Sequence, residues 1–121
     1  MMLVDTSVWI EHFRHGEPVL REYLSEEVVL MHPFVSGELA CGNLKNRATV
    51  LSDLAALPMA GIASNAEVFR LLDSRRLWGR GLGWIDLHLL ASALIAKCAF
   101  WTLDQRLARA AKELGLAAPP R

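Results

Sequence analysis

Four carboxylates in this sequence stand where a metal-assisted reaction could use them. Asp5 and Asp104 each follow a short apolar run, whereas Glu38 and Asp86 lie within apolar helical patterns. If the four acids cluster, they repel one another, and some must take up protons unless divalent cations neutralise them. Oxygen ligands of this kind favour Mg²⁺ or Mn²⁺ over zinc. Such a cluster is suited to metal-assisted hydrolysis of a phosphodiester.

Each acid taken alone also has a simpler explanation. Asp5 and Asp104 could each be the N-cap of a following helix, because a carboxylate there accepts hydrogen bonds from free backbone N–H groups. Glu38 could lie at the edge of its apolar stripe and reach solvent. Asp86 could stabilise the dipole of its helix and have no further role. Whether the four acids form a site therefore depends on the elements that carry them.

The two aspartates that follow apolar runs are predicted at the carboxyl ends of strands. Residues 1–4 and 98–103 form short apolar runs typical of strands in a parallel sheet. Open α/β sheets bind their ligands at the carboxyl ends of the strands. If the two strands are neighbours, Asp5 and Asp104 lie within a few ångströms of each other. Thr102 points to the same face as Asp104 because it lies two residues earlier.

The other two acids are predicted on helix faces that turn toward the core. In the helix from 33 to 42, Glu38 interrupts an apolar stripe. In the helix from 84 to 97, Asp86 shares a face with apolar residues and lies in the first turn. A buried carboxylate without a partner costs several kcal/mol, so pairing, protonation or metal binding is expected at both positions.

Strands and helices alternate along the whole chain. Three further strands are predicted, at residues 28–31, 57–62 and 115–117, and Pro58 favours an edge position for the second of them. Five further helices are predicted, at residues 8–14, 18–24, 43–56, 64–76 and 104–114. This alternation predicts a three-layer α/β/α sandwich with a central parallel sheet of about five strands, and a single domain over residues 1–121.

Composition narrows the class of protein. The chain has 121 residues, of which 53% are hydrophobic and 21% charged, as in a globular and not a disordered protein. The two isolated thiols, Cys41 and Cys98, favour a reducing cytoplasm. Asp5 interrupts the first apolar run, so no signal peptide is expected. The longest apolar stretch, residues 87–96, is too short to span a bilayer, and we expect no membrane segment.

The net charge of zero argues against a nucleic-acid partner, but its distribution changes this interpretation. Residues 1–38 hold seven acids and two bases, a net −5, and residues 39–121 hold six acids and eleven bases, a net +5. If four acids bind metal, nine acids remain against thirteen bases. A modest positive bias around an acidic site is compatible with a substrate that carries phosphates.

Four blocks of the sequence together resemble the PIN domains. They are Val4–Ile10, Ser36–Leu39 with Gly42, Asp86–Ala93 and Trp101–Leu107, in the order and spacing of that family. More narrowly, the chain resembles the ribonuclease toxins of bacterial VapBC toxin–antitoxin modules. The resemblance covers nearly the whole chain. Each block alone is weak, whereas the four taken jointly are specific.

The resemblance implies an activity and its residues. The family's acidic metal ligands fall on Asp5, Glu38, Asp86 and Asp104, a family hydroxyl position falls on Thr102, and Thr6 or Ser7 could support the ligands. The implied protein is a Mg²⁺- or Mn²⁺-dependent endoribonuclease with a five-stranded parallel sheet. It forms a homodimer and is inhibited by a small cognate antitoxin, whose DNA-binding part represses the shared operon.

Some basic and aromatic residues outside the four blocks could also contribute. Arg75, Arg76 and Arg80 flank Trp78 before the helix of Asp86, and they could contact RNA phosphates while the indole stacks on a base. The alternative is a solvated helix end.

The histidines have less specific interpretations. His12 and Arg14 could line the site or belong to a polar helix face. His32, beside Pro33, is predicted to cap a helix, and His88 is predicted to be structural.

Two other functions remain open on the sequence alone. One is a non-catalytic PIN-like module that binds protein or RNA. The other is an aspartyl-phosphate enzyme or receiver domain, which also uses strand-end carboxylates. Phosphotransferases of the haloacid type have a second Asp two residues after the nucleophile, and Ser7 stands at that position after Asp5.

Overall fold

The sheet of this protein is short and parallel. A computed structural model describes residues 1–118, and residues 119–121 of the predicted domain lie outside the described residues. The strands are β1 (Met2–Val4), β2 (Val29–Leu30) and β3 (Ala99–Trp101), in the order β2-β1-β3. All three residues of β1 are buried. Because successive side chains point to opposite faces, both faces of the central strand are covered.

Helices make up most of the rest of the described chain. They are α1 (Thr6–His15), α2 (Pro18–Ser25), α3 (Pro33–Cys41), α4 (Arg47–Ala55), α5 (Asn65–Ser74), α6 (Trp84–Ala96) and α7 (Gln105–Glu113). Each predicted helix is present, with ends shifted by a few residues. In residues 1–118 no helix has both the length and the apolar character needed to cross a membrane.

The prediction of about five strands is wrong, because three strands form the sheet of the described residues. The segment predicted at 57–62 contributes a single parallel bridge, in which Met31 N donates to Pro58 O at 2.8 Å and Ala60 N donates to Met31 O at 2.7 Å. In a parallel ladder the next bonds on either side need an N–H from Pro58 and one from Pro33. Neither proline has one, so the pairing stops after one bridge.

The segment predicted as a last strand, at 115–117, also forms one bridge. Ala117 pairs with Phe100, and Phe100 N donates to Leu116 O at 2.6 Å. The two single bridges therefore extend the sheet at each edge without adding a strand. The α/β class and the parallel sheet are confirmed, and the number of strands is corrected.

Two features of this fold position the acids. First, β1 and β3 are neighbours in register, with Val4 opposite Trp101, and Asp5 N continues the ladder by donating to Trp101 O at 2.9 Å. The expected adjacency of these strands is therefore confirmed. Second, α6 contacts both β1 and β3, and every residue from 87 to 93 is buried. A helix that is buried on all sides holds its first turn firmly against the sheet.

Candidate active site

Asp5 occupies the N-cap position of α1, but its side chain does not cap the helix. The residue is only 7% exposed. Its Oδ2 accepts hydrogen bonds from Ser7 Oγ at 2.8 Å and from Thr102 Oγ1 at 2.7 Å. The interpretation of Asp5 as a helix cap alone is therefore wrong. Two hydroxyl groups hold its carboxylate instead.

The hydroxyl of Thr102 connects the carboxyl ends of the neighbouring strands β1 and β3. Thr102 is buried directly after β3, and its hydroxyl both donates to Asp5 and accepts from Asp104 N at 3.1 Å. Ser7 Oγ lies 3.3 Å from Thr102 Oγ1 and accepts from Leu103 N at 3.0 Å. The predicted hydroxyl position therefore lies within the site, in contact with one of the four acids.

Asp104 behaves as a helix cap. Its Oδ1 accepts from Arg106 N at 2.9 Å and from Leu107 N at 3.1 Å, the free donors of the first turn of α7. The residue is exposed. The simpler explanation is correct for Asp104, but it accounts for one carboxylate oxygen only.

Asp86 lies in the first turn of α6 and is partly buried. Its Oδ2 accepts from Gly83 N at 2.9 Å. Burial raises the pKa of Asp86 above its usual value, the hydrogen bond from Gly83 opposes that rise, and the negative charges of Asp5 and Asp104 add to it. Asp5 and Asp104 thus lie close enough to Asp86 for their charges to act on it. We call Asp5, Asp86 and Asp104 the acid cluster.

Glu38 does not face the core, and that expectation is wrong. Its neighbours on the stripe of α3, Val35 and Leu39, are buried, whereas Glu38 itself is exposed. Its Oε1 accepts from Thr6 Oγ1 at 3.0 Å. Because Thr6 follows Asp5 directly, this bond attaches Glu38 beside the acid cluster. The long side chain lets a carboxylate at the edge of a stripe reach solvent.

The four acids share one pattern of hydrogen bonding. Within residues 1–118, one oxygen of each carboxylate accepts from the protein, and the other forms no hydrogen bond with it; the bound oxygens are Asp5 Oδ2, Glu38 Oε1, Asp86 Oδ2 and Asp104 Oδ1. The bound oxygen orients the group and the other stays available to a cation, as in the ligands of metal sites. A set of carboxylates without histidine or cysteine fits Mg²⁺ or Mn²⁺.

The acids are not gathered around a single point. In the part of the chain that the structure describes, no three His, Cys, Asp or Glu side chains stand close enough to hold a metal ion together. An ion shared by three of the acids would therefore require side chains to move toward it.

The arginines before α6 that were considered as RNA contacts differ in their surroundings. Arg80 forms an ion pair with Glu113, with 2.7 Å between Nη1 and Oε2, and this bond lowers the pKa of the Glu113 carboxyl. Arg75, Arg76 and Trp78 are exposed beyond the end of α5. Of these candidates, Arg80 is already bound to a carboxylate.

Of the two predicted residues in α1, one shares a cavity with an acid. Arg14 and Glu38 line the same groove, of about 160 Å³, between α1 and α3. His12 Nδ1 instead accepts from Glu17 N at 3.1 Å, at the turn between α1 and α2. His12 thus has a structural contact.

His32 caps α3, as predicted. Its Nδ1 accepts from Phe34 N at 3.0 Å, and its Nε2 lies 3.0 Å from Ser92 Oγ, which donates to Gly61 O at 2.8 Å. Because the single hydroxyl proton of Ser92 goes to Gly61, the ring proton of His32 is assigned to Nε2 and the ring is neutral. Burial and, to a smaller extent, the charge of His88 together lower the pKa of His32 to about 4.

The sequence interpretation missed the backbone N–H of Gly83, which orients Asp86. A signal was present. Asp86 is the third residue of its helix, and an acid at that position accepts from the N-cap N–H in half of a capping box.

Comparison with known proteins identifies the family. The family model described as PIN domain matches residues 2–113. Two curated relatives, each named ribonuclease VapC32 and found in two strains of Mycobacterium tuberculosis, are 48% identical to this chain over 118 residues. The alignment covers 97% of this chain and 95% of each relative. The resemblance found in the sequence is confirmed, and this chain belongs to the PIN-domain family and to its VapC-like members.

Proposed function

We propose that this chain is a metal-dependent endoribonuclease, the toxin of a type II toxin–antitoxin module that inhibits translation and growth. The observation that carries the proposal is the acid cluster, in which each carboxylate is oriented through one oxygen and leaves the other available. The relatives at 48% identity are named ribonucleases. The two lines of support are independent, because one is geometric and the other is a sequence likeness.

The residues have distinct tasks in the proposed reaction. When bound, Mg²⁺ or Mn²⁺ would activate a water molecule and stabilise the charge on the leaving oxygen. Asp5, Asp86 and Asp104, with Glu38 beside them, are the metal ligands. Thr102 belongs to the proposed catalytic site as a positioning residue, because its hydroxyl at the end of β3 holds the carboxylate of Asp5. The products are RNA ends with a 5′-phosphate and a 3′-hydroxyl.

The hydroxyl and amide donors keep the ligands in place. Ser7 supports Asp5, Thr6 supports Glu38, and Gly83 N supports Asp86. Such donors fix the direction of a carboxylate and typically change metal affinity or activity about 10- to 100-fold when they are removed. Burial raises the pKa of Asp86, and the negative charges of Asp5 and Asp104 add to that rise. A bound cation would relieve the repulsion among these charges.

The proposed assembly follows from the same family. The partners are RNA as substrate and a VapB-like cognate antitoxin, and DNA is contacted only through that antitoxin. We propose a homodimer that acts in the cytoplasm.

One observation favours a second candidate, a non-catalytic PIN-like module that binds protein or RNA. The acids of the described residues are not gathered tightly enough for three of them to share an ion as they stand. Titration calorimetry with Mn²⁺ separates the two functions, because the binding module has no affinity for the ion.

Replacement of Asp5 by Asn tests the enzyme. The variant keeps an oxygen that can accept from Ser7 and Thr102 but loses the charge, so we expect it to fold and not to cleave total RNA in Mg²⁺ or Mn²⁺. The matched control is Asp73→Asn on α5, an exposed aspartate outside the site. Equal cleavage by Asp5→Asn, or by the unsubstituted chain in excess EDTA, would contradict the proposal.

A further inference from the structure

The side chain of Arg106 lies across the glycine-rich loop formed by residues 77–83. A methyl group built on Gly81 would stand 2.8 Å from Cδ and 3.1 Å from Cζ of Arg106, closer than side chains approach one another. Gly81 also has a φ of 80°, a conformation that favours glycine. The absence of a side chain at Gly81 therefore lets the guanidinium of Arg106 rest against the backbone of the loop.

This contact places Arg106 between α7, which follows Asp104, and the loop that precedes Asp86. Its backbone N–H donates to Asp104 Oδ1 at 2.9 Å, at the start of α7. Gly81 lies two residues before Gly83, whose N–H holds Asp86 at 2.9 Å. Arg106 thus bridges from the helix that begins at Asp104 to the loop that orients Asp86.

The guanidinium of Arg106 differs from that of Arg80 in its contacts. Within residues 1–118 it forms no hydrogen bond and no ion pair, whereas Arg80, from the same loop, is bound to Glu113. The charges that shift the pKa of Asp86 are the negative charges of Asp5 and Asp104. Arg106 is therefore a cation that lies against the loop before Asp86, follows Asp104 by two residues and forms no ion pair with the acid cluster within residues 1–118.

Positive charge continues from Arg106 along α7. Arg109 lies one turn further, on the same side of the helix, and its charge contributes with Arg80 to the lowered pKa of Glu113. Two arginines around one glutamate leave a net positive charge. Together with Lys112, α7 carries three bases against one acid, Glu113.

We propose that Arg106 binds a phosphate of the RNA strand adjacent to the phosphate that is cleaved, and so acts as a substrate-positioning residue. This inference rests on the proposed ribonuclease function. A group of carboxylates repels a polyanionic strand, and a fixed cation at its edge offsets part of that repulsion. A guanidinium also offers two parallel N–H donors to phosphate oxygens, which sets the orientation of the strand as well as its affinity.

The test measures RNA binding in the Asp5→Asn chain, which is expected to bind without cleaving. The probe is a short, labelled, single-stranded RNA of mixed sequence, titrated at several KCl concentrations in Mg²⁺. Arg106→Gln should weaken binding about tenfold, as expected for a hydrogen bond to a charged group. It should also reduce the slope of log K against log salt by about 0.7, the value for one phosphate contact on a single strand.

Two companion variants separate this role from a general loss of charge or of folding. Arg70→Gln removes the same charge from an exposed position on α5 and should leave both affinity and slope unchanged. Arg106→Lys keeps the charge but loses the paired donors, so it should restore the salt slope and recover only part of the affinity. The backbone N–H of residue 106 persists in both Arg106 variants, so the cap of α7 is retained.

The outcomes distinguish this inference from the function beneath it. If Arg106→Gln and Arg70→Gln bind RNA equally well while the unsubstituted chain cleaves RNA, the role of Arg106 is overturned and the ribonuclease function stands. If the unsubstituted chain neither binds nor cleaves RNA, both are overturned.

Discussion

Asp5 and Asp104 stand at equivalent places in the chain, and their side chains do different things. Each aspartate follows a strand, β1 or β3, and stands directly before the first residue of a helix, α1 or α7. Asp104 is exposed, and its Oδ1 accepts the two free N–H groups of α7. Asp5 is buried, leaves α1 without a side-chain cap, and accepts from the hydroxyls of Ser7 and Thr102 instead.

The difference lies in what surrounds each carboxylate. Asp5 has a hydroxyl two residues further along the chain and another on the neighbouring strand end, and together they draw its side chain away from the helix. Asp104 has helix N–H groups as its hydrogen-bond partners. A missing cap costs a helix about 1 kcal/mol. The two hydroxyls thus hold the Asp5 carboxylate in place, and α1 loses the stability that a side-chain cap would give it.

The largest effect is expected from Asp104→Asn, which separates the cap from the charge. Asparagine caps a helix as well as aspartate does, so the free energy of unfolding should stay within about 0.5 kcal/mol of the original. RNA cleavage should fall on the order of 10²- to 10³-fold, because an electrostatic group of the site is lost. Urea unfolding and a cleavage assay provide the two measurements. Unchanged cleavage would make Asp104 a cap only.

The next effect concerns another capping residue, His32, which caps α3 only while its ring is neutral. The pKa of His32 is about 4 in the folded chain against an ordinary value of 6.5. The unfolded chain therefore binds the proton more readily, and stability is complete above pH 6.5 and falls as the pH is lowered toward 4. The loss from this group is about 3 kcal/mol over that window.

Urea unfolding at several pH values measures the contribution of His32. His32→Asn can still cap α3 through its side-chain oxygen but does not titrate, so its stability should depend less on pH between 6.5 and 4. Identical pH profiles for the two proteins would show that His32 is not responsible.

A smaller effect is expected from Thr102→Val, which removes the hydroxyl that distinguishes Asp5 from Asp104. In this variant the Asp5 carboxylate loses one of its two orienting donors, so Mn²⁺ affinity and RNA cleavage should fall about 10- to 100-fold. Thr102→Ser keeps the hydroxyl and serves as the control, with activity close to the original. A Thr102→Val chain with full Mn²⁺ affinity would mean that Ser7 alone orients Asp5.

The smallest effect is on stability and compares the two aspartates directly. Asp104→Ala removes a working cap and should lower the free energy of unfolding by about 1 kcal/mol. Asp5→Asn removes no cap and relieves repulsion within the acid cluster, so without divalent cations it should not destabilise the chain. Thermal unfolding of both variants in EDTA tests the contrast. Equal destabilisation would remove the distinction between the two sites.

The sequence predicted the α/β class, the seven helices and the three strands, because hydrophobic periodicity and capping residues are local signals. It overestimated the sheet at 57–62, where Pro58 and Pro33 together stop the pairing after one bridge. The effect of Pro58 on its own segment was recognised. The effect of Pro33 requires knowledge of which residues face each other across the sheet.

The acids were found from the same local signals, but their environments were not. Periodicity gave the direction in which Glu38 leaves its helix and not the distance that its carboxylate extends, so its exposure was missed. Of the groups that orient the carboxylates, Thr102 was expected as a family hydroxyl position, and Thr6 and Ser7 only as possible supports. The backbone N–H of Gly83 was not predicted.

The sequence by itself therefore determined which acids are present, that two of them follow strands, and that Asp104 and His32 can cap helices. A cap joins residues two or three positions apart, so its partners are already neighbours in the chain. Only the tertiary structure decided that Asp5 turns to Thr102, 97 residues away, and that Arg106 rests on Gly81. Those contacts form because β1 and β3 pair side by side and α7 packs next to the loop before α6, and such pairings between distant segments depend on the whole fold.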